Sequence, residues 1–144
     1  MLKKFINKAI APIILFTICF SSLSLTVYAA SDTYNSTLEF WGEHTGATRS
    51  YTHSNISYSA TARSYVGNTQ VSSSNTTYSK TYKVSLYRKT SWVSSEKVGS
   101  ADLSRYTSGS AKWTNVGSGD YYFYFTKARD GVTVKSTNVV MKGY

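Results

Sequence analysis

One cysteine, Cys19, and one proline, Pro12, occur in the 144 residues, and both precede residue 30. Whatever folds beyond that point has no disulfide and no thiol chemistry. It must hold together by packing and backbone pairing, without the staples that many small exported domains use. Acidic residues are also few, with 7 Asp and Glu against 16 Lys and Arg. Asp32, Glu39, Glu43, Glu96, Asp102, Asp120 and Asp130 are scattered along the chain. That spacing gives no calcium loop of alternating acids and marks no cleft with two facing carboxyls. The two histidines, His44 and His53, could combine only with Glu43 as metal ligands, short of a clustered set. No GxSxG elbow is present, and GSGD at 117–120 is a tight turn rather than a phosphate-binding loop. The expectation is a protein that is not an enzyme, with no metal and no cofactor.

The basic charge is dilute. Lys3, Lys4 and Lys8 belong to the first segment, which leaves 13 of the 16 Lys and Arg beyond it. Arg88-Lys89 is the one adjoining basic pair there. Nucleic-acid binders cluster their charge on one face, so no specific nucleic-acid partner is expected. The first segment reads as a secretory signal peptide over 1–29. MLKKFINK is a positive start, an apolar stretch follows to about Val27, and VYAA supplies small residues for cleavage after Ala29. One secreted domain over 30–144 follows, read as a monomer.

What is abundant is Ser, Thr, β-branched and aromatic residues, including 13 Tyr and 3 Trp. That composition suits pleated, half-buried strands. The spacing predicts strands at Thr33–Trp41, at Asn55–Val66 with Ile56, Tyr58, Ala60, Ala62 and Val66 on one face, and at Thr76–Lys89. Shorter strands are expected around Trp92, at Ser110–Val116, at Tyr121–Lys127 and at Val132–Met141. Residues 42–50 read as a loop, and Ala101–Tyr106 as one helical turn capped by Ser100. Asp130-Gly131 predicts a hairpin between the last two strands, and a final strand at a sheet edge could pair with another copy unless Lys135 and Lys142 discourage it. Six to eight short strands with regular turns point to an all-β fold, a small antiparallel β-sandwich or a barrel-like relative.

The stretch YYFYF, residues 121–125, puts rings on both faces of one strand. Tyr121, Phe123 and Phe125 share a face and belong inside, since phenylalanine has no polar handle. Tyr122 and Tyr124 then face outward, as cross-strand stabilisers or as a flat binding surface. Lys127, Arg129 and Lys135 would add charge to that surface, and Trp41, Trp92 and Trp113 are further candidates if exposed. The leading expectation is a secreted, non-enzymatic protein that binds an anionic polymer or glycan at the cell envelope. The alternative is a secreted antimicrobial or membrane-active toxin, bacteriocin-like in its size, its charge and its lack of cysteine, acting at an anionic membrane surface. A third reading is an inhibitor of an exported enzyme, for which a rigid protruding loop would be the mark.

Overall fold

The computed structural model describes residues 32–144; the expected signal segment, with Cys19 and Pro12, lies outside the described residues. The strands are β1 (Thr33–Phe40), β2 (Glu43–Thr45), β3 (Arg49–Tyr51), β4 (Ile56–Thr61), β5 (Arg63–Val66), β6 (Thr69–Gln70), β7 (Thr81–Lys89), β8 (Ser95–Ser104), β9 (Ser108–Trp113), β10 (Gly119–Thr126) and β11 (Thr133–Gly143). Every pairing is antiparallel, in two sheets. In the first, β1 runs along one side of β11, and β4 and β5 follow each other along its other side. β9 flanks β4, and β6 flanks β5. In the second, β2 and β3 share one side of β10, β7 holds the other, and β8 is outermost. The expected β-sandwich is the fold.

Alternation places the core as the sequence implied. Tyr121, Phe123 and Phe125 are 0–3% exposed. The Tyr58 ring sits 5.5 Å from Phe123 and 5.6 Å from Phe125, and Trp113 lies 5.7 Å from Phe123. Ala60 and Ala62 are both buried in the same core. Each ring withdrawn from water contributes about 1.5–3 kcal/mol, which is how a chain without disulfides assembles a core. Tyr58 and Tyr82 meet hydroxyl to hydroxyl at 3.3 Å inside it, and burial pushes both phenols up.

Several local expectations fail, each for a tertiary reason. β10 and β11 do not form a hairpin, because they lie in different sheets. Residues 127–132 carry the chain across the end of the sandwich. Gly131, at φ +79°, supplies the left-handed turn of a sheet-crossing corner. Asp130 is the centre of that corner. Its carboxylate accepts from Arg105 Nη1 at 2.8 Å, from Lys127 Nζ at 3.0 Å and from the Ser79 amide at 3.2 Å. Both cationic side chains are fully buried. Burial alone would raise the Asp130 carboxyl, but the bonds from Arg105 and Lys127 outweigh it and hold it well below the usual carboxylate range.

β11 is central rather than an edge strand, flanked by β1 and by β4 and β5. The segment 101–106 is not helical: residues through Ser104 continue β8, because β7 pairs with them residue by residue. Residues 42–50, read as a loop, contain β2 and the first two residues of β3, short strands that cover the free side of β10. Thr76–Lys80 do not extend β7, and Trp92 lies in a turn rather than a strand. The long second strand breaks at Ala62. Opposite the break β11 is irregular, and Asn138 fills the gap: its Oδ1 accepts from the Thr61 amide at 2.9 Å, and its Nδ2 donates to Thr61 Oγ1 at 3.1 Å. Past the break it is Ser64 that is buried, while Val66 is 42% exposed.

Candidate functional site

With Phe123 and Phe125 inside, Tyr122 and Tyr124 stand on the outer face of the second sheet, half-buried. Register brings Tyr87 of β7 opposite Tyr122, and Ser85 opposite Tyr124. The Tyr87 and Tyr122 rings stack, with centroids 5.3 Å apart and planes within 8°. At that separation the rings overlap in part rather than lie side by side in one plane, so they present edges and hydroxyls outward. Tyr124 is perpendicular to Tyr87, at 6.1 Å. Ser85, on this outer face, is only 4% exposed. The surface is therefore a ridged cluster, not the flat platform that the sequence suggested. Tyr87 was not among the residues singled out from the sequence; it lies one residue past Leu86, on the outward side of β7, where only its register with Tyr122 marks it.

The cluster continues toward the sheet-crossing corner. Tyr124 donates its hydroxyl to Glu43 Oε2 at 2.7 Å, and this bond to a carboxylate raises its phenol pKa. Glu43 faces Arg129 across 3.9 Å, and the Arg129 guanidinium lies 5.7 Å from the half-exposed Trp41 ring. The two crossing loops touch here, with the Lys127 amide donating to the Gly42 carbonyl at 2.9 Å. On the opposite flank Lys83 pairs with Asp102 at 2.8 Å, and Lys97 lies across from Tyr87. The result is one outward strip: Tyr87, Tyr122, Tyr124, Glu43, Arg129 and Trp41.

Not every candidate residue joins it. Trp113 packs in the core, so its indole is unavailable to a ligand. Lys127 is buried with Asp130; burial lowers its ammonium pKa, only partly offset by that bond. Lys135 is on the first sheet, paired with Glu39 at 2.8 Å and lying over Tyr65. It therefore carries no charge to the tyrosine strip. Trp92 is exposed, at the tip of the hairpin that joins β7 to β8.

The two histidines lie apart. His44 packs 6.1 Å from Phe125 at the sandwich edge. His53 Nδ1 is 3.0 Å from Asp32 Oδ2, which also accepts from the Thr52 amide and hydroxyl. Burial works to raise Asp32, and these bonds bring it below the usual range; the group closes a loop between β3 and β4. Among the described residues no three His, Cys, Asp or Glu side chains gather as metal ligands. A slot of about 70 Å³ lies between β1 and β2, lined in part by Leu38, His44, Arg49, Phe125 and Met141. It has room for a few water molecules, not for a sugar ring.

No family model and no curated protein matches the sequence. Among solved structures, the chain is similar to part of a Clostridium thermocellum endo-1,4-β-D-xylanase 10B, whose CBM22-1 and GH10 modules were solved with xylohexaose. Identity is 17% and the TM-score 0.39, over 78% of this chain and 25% of that one. The chain thus spans about a quarter of the length of that structure.

Proposed function

We propose that the chain is a secreted, non-enzymatic binding protein that holds an extracellular glycan or anionic polymer along the outer face of its second sheet. The observation that supports this is the strip from Tyr87 and Tyr122 through Tyr124 and Glu43 to Arg129 and Trp41. A pyranose ring has an apolar C–H face and a rim of hydroxyls. The half-exposed Trp41 ring can accept the first, and the Glu43 carboxylate, the Arg129 guanidinium and the hydroxyls of the stacked tyrosines bond the second. From Tyr122 to Thr126 the strand rises about 14 Å, enough for roughly two to three sugar residues. Tyr124 donates its proton to Glu43, which leaves its oxygen free to accept from a ligand hydroxyl. Arg129 offers a planar fork to a phosphate or carboxylate on an anionic polymer. The general excess of basic residues concentrates the protein near such polymers.

Affinity electrophoresis of the purified protein through gels containing a neutral β-glucan, a xylan or a teichoic-acid-type polyphosphate tests the reading. Retardation in at least one gel, abolished by Tyr87→Ala/Tyr122→Ala, is expected. Unretarded migration through every gel and no adsorption to isolated cell wall would refute it.

A further inference from the structure

The hairpin of β7 and β8 runs past the end of the sandwich. Tyr82, Val84, Ser85 and Leu86 are buried, yet no residue from Tyr87 through Val98 is. At the apex Trp92 is 89% exposed and Val93 71%. A ring so exposed adds nothing to the core. The apex is nonetheless held: the Thr90 and Ser91 amides donate to the Ser94 carbonyl at 3.1 and 3.3 Å. The Val93 and Ser94 amides donate to Ser91 Oγ at 3.3 and 3.1 Å. The turn therefore holds the backbone that carries Trp92 and Val93, both of which stand in solvent. On the two strands behind the apex are Arg88, Lys89 and Lys97, all exposed, against one acid, Glu96; Lys89 is in the register pair next to the apex, and Lys97 is two pairs further back. Arg88 turns to the Ser118 carbonyl at 3.1 Å, while Lys89 and Lys97 have no ion-pair partner among the described residues.

We propose that this tip is an interfacial anchor, with Trp92 and Val93 entering the headgroup region of an anionic lipid bilayer and Lys89 and Lys97 pairing with its phosphates. Tryptophan favours the membrane–water boundary, where its apolar body and its N–H are both satisfied. Basic residues beside it are drawn to the negative surface, and lysine stems lie along apolar surface while their ammonium groups stay in water. The charge complement selects lipid over an apolar protein groove. The tight turn Ser91–Ser94 also lacks the extended segment that an inhibitor needs to lie along an enzyme cleft. The anchor is separate from the tyrosine strip, although Lys97 stands opposite Tyr87, so a tethered molecule holds the strip beside the bilayer.

Co-sedimentation of the protein with phosphatidylcholine vesicles, with and without phosphatidylglycerol, tests the anchor. The wild type is expected to pellet with the anionic vesicles only, with a blue shift of its emission. Trp92→Ser/Val93→Ser keeps every charge and alters only solvent-exposed side chains. It should weaken vesicle binding by at least about tenfold and leave migration in polysaccharide gels unchanged. Lys89→Gln/Lys97→Gln should weaken binding and reduce its salt dependence. Absence of pelleting with anionic vesicles would overturn the proposal and point the tip toward a protein partner. Equal pelleting of wild type and Trp92→Ser/Val93→Ser would overturn it as well, since charge alone would then account for the binding.

Discussion

Asp130→Asn is the substitution with the largest expected cost outside the aromatic core. It keeps the shape of the side chain and removes the one negative charge shared by Arg105 and Lys127, whose side chains are fully buried. Stripping the counter-ion from a buried pair costs about 3–5 kcal/mol, because the remaining charge is left without compensation. A domain of this size has roughly 6–17 kcal/mol of stability in all, so the variant should lose a large fraction of it. Urea unfolding followed by near-ultraviolet circular dichroism measures the loss. The triple variant Arg105→Met/Lys127→Met/Asp130→Asn should lose less than Asp130→Asn alone, since it leaves no buried cation, although the single Asn Oδ1 can replace only one of the two carboxylate oxygens that accept from the Ser79 and Val132 amides. The sign with pH follows from the same contacts. Asp130 titrates below its ordinary 3.8 in the folded protein, so its stabilisation is complete above that value and drains away as pH falls through the more acidic range. Asp130→Asn should therefore flatten the acid limb of the stability profile, leaving a smaller slope from Asp32, which is also lowered. A loss under about 1 kcal/mol for Asp130→Asn, or an unchanged acid limb, would refute the account of the corner.

Two further outcomes follow from close contacts. At Gly99 an added Cβ would stand 2.9 Å from Trp113 Nε1, so Gly99→Val should cost about 1–3 kcal/mol by overpacking; an unchanged urea midpoint would show that β8 can move off the indole. Asn138→Ala removes the acceptor for the Thr61 amide at the β4–β5 break and should cost about 1 kcal/mol, with faster hydrogen exchange at Thr61 as its local signature. Unaltered exchange there would contradict the role given to Asn138.

Period-two alternation carried the fold class, because it reports which side of a strand is buried regardless of its partner. It placed Tyr121, Phe123 and Phe125 inside and Tyr122 and Tyr124 outside. It could not say which strands pair. Asp130-Gly131 has hairpin chemistry, yet a left-handed glycine serves a sheet-crossing corner equally well, and what separates the two is strand pairing, since β10 and β11 belong to different sheets. The buried Arg105 carries no local signal, since a lone arginine after a strand normally points to water. The short β2 and β3 were hidden by the glycines around them, and they form because β10 offers unpaired amides. Half of the site was legible for the same reason: Tyr122 and Tyr124 could be assigned to a face from their own strand. Trp41 and Arg129 were named as candidates from their residue types, but their meeting through Glu43, like the place of Tyr87, depends on register and on two loops touching, and neither can be read from spacing. Lys127 and Lys135, close to the tyrosines in sequence, are separated from them by the corner and by the change of sheet.

The most direct test of the tyrosine strip is the dissociation constant for whichever polysaccharide retards the protein, measured by titration for the wild type, Tyr87→Ala/Tyr122→Ala and Tyr65→Ala. The first pair lies on the outer face of the second sheet, and Tyr65 is on β5 of the first. The account predicts at least a tenfold weakening for Tyr87→Ala/Tyr122→Ala, about 1.4 kcal/mol, with wild-type affinity for Tyr65→Ala. Equal affinity in all three proteins, or a loss shared by Tyr65→Ala, would contradict it.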